Sequence, residues 1–169
     1  YPTCKNGLIR SFIVPTKVSF QPKNELNSKW STTPPSSAVA FSFSYHLQKD
    51  LNVPVGIIQT AWGSSSIEGW MPIQLTSKLP NFKKIMQKFE EKDKEKVEKL
   101  IAKKKWERDE NIYLRTRPNI LYNSMLHPLI PFATRGLVWY QGEANSSRPN
   151  EYAESLPVWV SELRKLWKQ

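Results

Sequence analysis

In the first half of the chain, short apolar runs alternate with polar segments rich in Pro, Ser and Thr. Two of these runs, LIRSFIVP and KVSF within residues 8–20, fit short strands separated by a turn. In SSAVAFSFSYHLQKDL, at 36–51, the alternation of apolar residues also fits a strand, whereas Ser36 or Ser37 fits a helix N-cap. We favour a helix there, because the run VPVGIIQTAW, at 53–62, predicts a buried strand after a short gap.

The second half of the chain predicts helices around another buried strand. A Lys-rich stretch at 80–112 and the tail at 151–167 carry apolar residues at helical spacing. Between them lie the apolar stripe LYNSMLHPLIPF and the run RGLVWYQGEAN, at 135–145, which predicts a second buried strand that ends in a polar turn. Buried strands that alternate with helices predict an α/β domain with a mostly parallel sheet. The ligand site of such a domain lies at the carboxyl ends of its strands.

The composition and charge narrow the possible partners. With 39% hydrophobic residues and seven Trp, the chain suits a globular protein, and no apolar run is long enough to cross a bilayer. Of the net charge of +10, the segment from Lys78 to Lys105 supplies +6, from eleven Lys against five acidic residues. The solvated face of an amphipathic helix accounts for this charge, and no nucleic-acid-binding motif accompanies it. We therefore expect neither a nucleic acid nor a membrane as partner.

Cysteine and histidine are too sparse for an internal disulfide or a zinc site of the usual kind. Cys4 is the one cysteine, and it receives no role. His127, inside the apolar stripe and just before Pro128, is expected to be a packed core histidine rather than a base, and His46 is a weaker candidate still. We therefore predict no metal site.

Three strings resemble the sialate O-acetylesterase family of SGNH (GDSL-like) hydrolases. They are SSAVAFSFSYHLQKDL, VPVGIIQTAWGSSSIEGWMP and LYNSMLHPLIPFATRGLVWYQGEAN, of which the Trp-Tyr-Gln-Gly-Glu-x-Asn element is the most specific. The similarity covers most of the chain except the Lys-rich helical insert at about 80–112. The resemblance implies that residues 1–169 are the central part of a single esterase domain. It also implies a three-layer α/β/α, flavodoxin-like fold with a mostly parallel sheet.

The resemblance also implies an activity. Enzymes of this family hydrolyse O-acetyl esters of sialic acid or a related sugar by a serine-hydrolase mechanism without a cofactor, and they are secreted, periplasmic or lysosomal. Their nucleophilic Ser lies in a Gly-Gln-Ser-Asn block and their base in an Asp-x-x-His block, and neither block occurs here. We therefore expect this chain to be incomplete or inactive by itself. The alternative is a non-catalytic α/β module that binds a glycan or stabilises a larger protein, and the oligomeric state stays open.

Two residues match the family's oxyanion hole, the set of donors that stabilises the tetrahedral intermediate of ester hydrolysis. They are the backbone N–H of Gly63 and the side chain of Asn145, and a donor of this kind contributes about 3 kcal/mol. Gly suits the first position because it allows close approach of the backbone, and Asn suits the second because its amide donates without charge. Apart from the resemblance, either residue also fits an ordinary turn.

Other polar residues near these positions are candidates for the substrate pocket. Gln141 and Glu143 are expected to shape the pocket or orient the substrate, and Glu68 and Trp70 to line it. The serines at 64–66 follow a predicted strand as a nucleophile would, but residue 67 is Ile, so the G-x-S-x-G pattern is absent. We therefore interpret these serines as polar turn residues and find no nucleophile or base in this chain.

Overall fold

The computed structural model describes residues 8–168, which divide into two compact units. The first unit takes in the residues up to Thr16 together with Leu26–Ala61. The second unit takes in Lys17–Glu25 and the residues from Trp62 onward. Within the described part, no helix is both long and apolar enough to cross a membrane.

The first unit is a small mixed sheet with one helix. Strand β1 (Ile9–Ile13) pairs antiparallel with β2 (Trp30–Ser31) and parallel with β3 (Val55–Gln59), so the strand order is β2-β1-β3. Helix α1 (Ala38–Leu51) connects β2 to β3. The α/β class is confirmed, whereas this sheet has three strands of mixed direction, so the mostly parallel three-layer arrangement stays a prediction.

Helix α1 begins where the sequence indicates a cap. The Ser37 Oγ accepts a hydrogen bond from the Ala40 backbone N–H at 3.2 Å, which satisfies one of the free donors of the first turn. The helix ends at Asn52, whose φ of 50° is left-handed, a conformation that Asn tolerates better than most residues. The prediction of a helix rather than a strand over this segment is therefore confirmed.

The second unit is mainly helical. Its α-helices are α2 (Ile73–Thr76), α3 (Lys83–Lys88), α4 (Lys94–Ile101), α5 (Arg108–Leu114) and α6 (Pro149–Trp167). Short π-helical turns lie at Phe89–Asp93 and Tyr122–Leu126, and 3₁₀ turns at Ile67–Trp70, Pro80–Phe82, His127–Leu129 and Glu143–Asn145. In the Lys-rich segment Phe82 and Phe89 are buried and Ile85 is half-buried, while lysines such as Lys84 are exposed. The helical, amphipathic prediction for this segment is confirmed.

The core of the second unit forms around the segment Ile120–Leu126. All seven of its residues are buried, and the Tyr122 ring lies edge-on to the fully buried Trp159 of α6, with centroids 6.2 Å apart. Residues of Lys17–Glu25 bind to this segment: the Ser19 N–H donates to the Ile120 carbonyl at 3.2 Å, and Asn123 Nδ2 donates to the Phe20 carbonyl at 2.8 Å. The predicted strand at KVSF is therefore wrong, because its backbone pairs with a buried turn instead of a neighbouring strand.

The predicted second buried strand at 135–145 is also absent. Among the described residues, no backbone hydrogen bond joins residues 135–140 to another segment. Leu137, Val138 and Tyr140 are 48%, 59% and 75% exposed. An apolar run becomes a strand only where a neighbour satisfies its backbone groups, and the described residues place none beside it. Asn145 therefore does not follow a parallel strand here, contrary to the expectation from its motif.

Candidate functional site

The loop that follows β3 along the chain lies in the second unit and is tied there by hydrogen bonds. Ser64 has a left-handed φ of 58°, and the Ser65 N–H donates to the Trp62 carbonyl at 3.3 Å. Trp70, itself buried, donates from Nε1 to Ser65 Oγ at 2.7 Å. At Gly69 an added Cβ would lie 3.2 Å from the Arg117 carbonyl oxygen, so a larger residue would require that backbone to shift by a few tenths of an ångström. The loop therefore has a fixed path from Ser65 to Trp70.

Asn145 lies against this loop, and its amide is held at both ends. Its Oδ1 accepts from the Ile67 backbone N–H at 2.9 Å and from Gln141 Nε2 at 2.8 Å, while its Nδ2 donates to Glu68 Oε2 at 3.1 Å. Flipping the amide would place Nδ2 against two donors and Oδ1 against a carboxylate, so one orientation is strongly favoured. Because Nδ2 carries two hydrogens and one of them goes to Glu68, the other is left to donate elsewhere.

Glu68 is buried with a charged partner. Its side chain is 3% exposed, and Arg148 Nη2 donates to its Oε1 at 2.6 Å. The same guanidinium donates from Nη1 to Glu151 Oε2 at 3.0 Å in the first turn of α6. Burial disfavours the charged guanidinium, but attraction from Glu68 and then Glu151 outweighs this cost and raises the pKa of Arg148. Both carboxylate oxygens of Glu68 are therefore engaged inside the protein.

Gln141 joins the loop to helix α6. Besides its bond to Asn145, its Nε2 donates to the Ser65 carbonyl at 2.8 Å. Its own backbone carbonyl accepts from the Tyr152 hydroxyl at 2.7 Å, and that hydroxyl accepts from Trp139 Nε1 at 3.1 Å. This network fixes the turn around Asn145 although the residues before it form no strand.

Two buried polar atoms near Asn145 lack a hydrogen-bond partner within the described residues. They are Ser66 Oγ and Gln141 Oε1. Buried polar atoms are satisfied in most proteins, but five further unpaired atoms, among them Asn81 Oδ1 and Trp159 Nε1, belong to other described residues, so these two atoms do not by themselves mark a ligand site.

The other sequence candidates lie around this network in different ways. Gly63 is exposed, and a Cβ added to it would meet nothing within 4 Å. Its φ is not left-handed, so neither packing nor conformation requires Gly in the described residues. Glu143 is exposed at the start of its 3₁₀ turn, while Trp70 is buried.

The histidines lie elsewhere. His127 is half-buried rather than part of the core, its Nδ1 lies 2.9 Å from the Lys23 carbonyl, and its ring contacts Tyr122. His46 is exposed on α1, and Cys4 lies outside the described residues. The expectation of a core histidine at position 127 is thus only partly met, because a backbone carbonyl holds the ring at the edge of the core.

Sequence reasoning missed Arg148, Ser65 and Tyr152 as parts of this network. The signal available for Arg148 was its place just before Pro149, at the start of a helix whose first turn carries Glu151 three residues later. Residues three apart at a helix start are neighbours, so a pair with Glu151 could be anticipated, but nothing in the sequence indicates the second partner, Glu68, 80 residues away.

Comparison with known proteins identifies relatives of one kind. A sialate O-acetylesterase from Homo sapiens is 25% identical over 130 residues, which cover 76% of this chain and 21% of that protein. The sialate O-acetylesterase of Mus musculus is 26% identical over 146 residues, covering 79% of this chain and 25% of that protein. No family model matches the chain.

A solved structure is similar over nearly the whole chain. It is a carbohydrate acetylesterase from Xanthomonas citri, with a TM-score of 0.71 and 26% identity, covering 98% of this chain and 32% of that one. The chain thus spans about a fifth to a quarter of the length of the curated relatives and about a third of the solved acetylesterase. The resemblance to sialate O-acetylesterases that the motifs indicate is confirmed by these relatives.

Proposed function

We propose that this chain supplies the oxyanion-binding part of a carbohydrate O-acetylesterase, which removes O-acetyl groups from sialic acid or a related sugar. The observation that carries the proposal is the set of hydrogen bonds between Asn145 and the loop after Gly63. Gln141 adds a further bond to Ser65, two residues from Gly63. Because consecutive Cα atoms are about 3.8 Å apart, Gly63 lies within about 8 Å of Ser65. The two proposed donors therefore belong to one connected region.

The environment of Gly63 supports its role. An exposed Gly that neither packing nor conformation requires has space beside its backbone for another molecule to approach. A backbone N–H in such a place is suited to donate to an oxyanion. The second donor is the hydrogen of Asn145 Nδ2 that Glu68 leaves free.

In this mechanism the serine and histidine come from parts of the protein outside this chain. The serine oxygen attacks the acetyl carbonyl carbon, the histidine takes the hydroxyl proton, and the carbonyl oxygen becomes an oxyanion held by Gly63 and Asn145. Collapse of this intermediate breaks the bond to the sugar oxygen, which takes the proton from the histidine. Water then releases acetate by the same steps, with the same two donors. Gln141 and Glu143 orient the sugar, and the chain forms part of a larger three-layer esterase domain.

A binding experiment with two glycine variants tests the proposal. The ¹⁵N-labelled chain is titrated with O-acetylated sialic acid and with the same sugar lacking the O-acetyl group. We expect the chain to prefer the acetylated sugar, and Gly63→Ala to weaken that binding by about tenfold, because the added methyl group keeps the ester from approaching the Gly63 N–H closely enough for a hydrogen bond of about 1.4 kcal/mol. The unfolding midpoint should stay unchanged, since the added methyl group meets nothing within 4 Å.

Gly136→Ala is the matched control. Gly136 is also exposed, lacks a left-handed φ, and has nothing within 4 Å of an added Cβ. This variant should bind both sugars as the parent chain does. Equal binding of the two sugars would favour a glycan-binding module over an esterase. If the parent chain prefers the acetylated sugar and Gly63→Ala leaves that preference unchanged, Gly63 is not part of the oxyanion hole.

A further inference from the structure

The buried carboxylate of Glu68 has two partners inside the protein, which the predicted role of lining a substrate pocket does not require. Its Oε1 accepts from Arg148 Nη2 at 2.6 Å and its Oε2 accepts from Asn145 Nδ2 at 3.1 Å. Burying a charge pair is costly, and an apolar pair of similar volume is often at least as stable. Stability alone therefore gives no strong reason for a charged pair at this position.

At position 68 a carboxylate has one property that an apolar side chain or a Gln lacks. Ionised Glu accepts hydrogen bonds and never donates, so the group facing Oε2 has to be a donor. A Gln at 68 would have one amide nitrogen and one oxygen, and it would turn a donor toward either Arg148 or Asn145. Only a carboxylate accepts from both, and the bond from Arg148 fixes its orientation.

We propose that Glu68 and Arg148 are positioning residues that hold the Asn145 amide with one Nδ2 hydrogen free for the oxyanion. Ile67 and Gln141 hold the opposite end of the amide through Oδ1, so Glu68 completes its restraint. The inference rests on the proposed function for its purpose, but the restraint itself is a property of the folded chain. It is therefore measurable without substrate.

The test follows the Asn145 side-chain amide by NMR in the ¹⁵N-labelled 169-residue chain. Its pair of resonances is assigned by their loss in Asn145→Asp. The main variant is the double substitution Glu68→Leu with Arg148→Met, which removes both buried charges together and so avoids leaving one unpaired. We expect the fold to survive, and the Asn145 amide protons to exchange with water at least about tenfold faster, because a hydrogen bond to a charged group is lost.

Two further variants make the result decisive. Glu154→Gln removes a negative charge from the exposed side of α6, and the Asn145 resonances should not change. Glu68→Gln is the fallback if the double variant fails to fold, and it should also disturb the Asn145 resonances. Unchanged exchange at Asn145 in a folded double variant would overturn the positioning role, because a purely structural charge pair would leave this amide as it was.

The two proposals fail separately. Suppose that substituting Glu68 changes the exchange rate of the Asn145 amide, but no protein binds the acetylated sugar differently from the unacetylated one. The positioning role of Glu68 and Arg148 then stands, and the oxyanion-hole function is wrong. If Gly63→Ala weakens binding of the acetylated sugar but substitution of Glu68 leaves Asn145 amide exchange unchanged, the oxyanion-hole function stands. The Glu68–Arg148 pair then has only a structural role.

Discussion

At the scale of single residues, side chains with several partners hold the site loop in place. Asn119 is 5% exposed and has a left-handed φ of 65°. Its N–H donates to the Glu68 carbonyl at 2.9 Å, and its Nδ2 donates to the Met71 carbonyl and to Thr76 Oγ1 at 2.8 and 2.9 Å. The position thus requires both a side-chain amide and a residue that tolerates the left-handed region, and Asn meets both requirements.

Two substitutions at Asn119 separate these requirements. Asn119→Ala should lower the free energy of unfolding by about 3 kcal/mol, because it strands two buried acceptors and strains the backbone. Asn119→Gly loses the same hydrogen bonds without the backbone strain, so it should be less destabilising than Ala by up to about 1 kcal/mol. Urea unfolding of the three proteins measures both differences. If Gly destabilises as much as Ala or more, the backbone at 119 is not under strain.

The motif residues show how far single positions follow from sequence. The strings that resemble the esterase family contain Glu68, Gln141 and Asn145, and the structure joins these three by hydrogen bonds. Some partners are backbone groups, such as the Ile67 N–H, and residue type does not reveal them because nearly every residue carries the same group. Arg148 was missed for a similar reason, since its pairing with Glu68 depends on two distant segments meeting in the fold.

At the scale of elements, local sequence signals predict a helix correctly because a helix forms its backbone hydrogen bonds within its own segment. Helix α1 was predicted because its cap and its following strand are both local features. The runs KVSF and 135–145 were predicted as strands and are not, because a strand needs a second segment to accept its hydrogen bonds. Apolar content and alternation describe what a segment is able to bury, and they do not indicate what lies next to it.

The Lys-rich segment provides a test at this scale. Phe82 is 1% exposed and ends the 3₁₀ turn Pro80–Phe82 just before α3, whereas Lys84 is exposed on α3. Phe82→Ala should lower the free energy of unfolding by about 3–5 kcal/mol through lost burial and a cavity. Lys84→Ala should change it by less than about 0.5 kcal/mol, as expected for an exposed site. A large loss of stability in Lys84→Ala would contradict the interpretation of the lysines as a solvated face.

At the scale of the whole molecule, the similarity to acetylesterases and the hydrogen bonds around Asn145 both support the proposed esterase function. The curated relatives are 25% and 26% identical, and the solved acetylesterase shares the fold over 98% of this chain. Sequence identity of 25–26% supports similarity to sialate O-acetylesterases, but it does not assign a role to any single residue. Those roles are argued from the geometry of the site. The catalytic contribution we propose for this chain is limited to orienting charge-stabilising donors, because its sequence carries neither the Gly-Gln-Ser-Asn nor the Asp-x-x-His block.

The last prediction concerns the activity of the 169-residue chain. Within the described residues Ser65 Oγ accepts from Trp70 Nε1, and His127 Nδ1 lies 2.9 Å from the Lys23 carbonyl, so these two residues do not form a nucleophile–base pair. We therefore expect hydrolysis of p-nitrophenyl acetate at the buffer rate, with no burst of p-nitrophenol. Oxyanion donors and substrate binding together leave a residual rate of about 10³- to 10⁴-fold over water in a fully built site, and this chain carries neither of the family's nucleophile and base blocks. A burst, with acetyl recovered by mass spectrometry on residue 64, 65 or 66, would show that the serine-rich turn is the active centre.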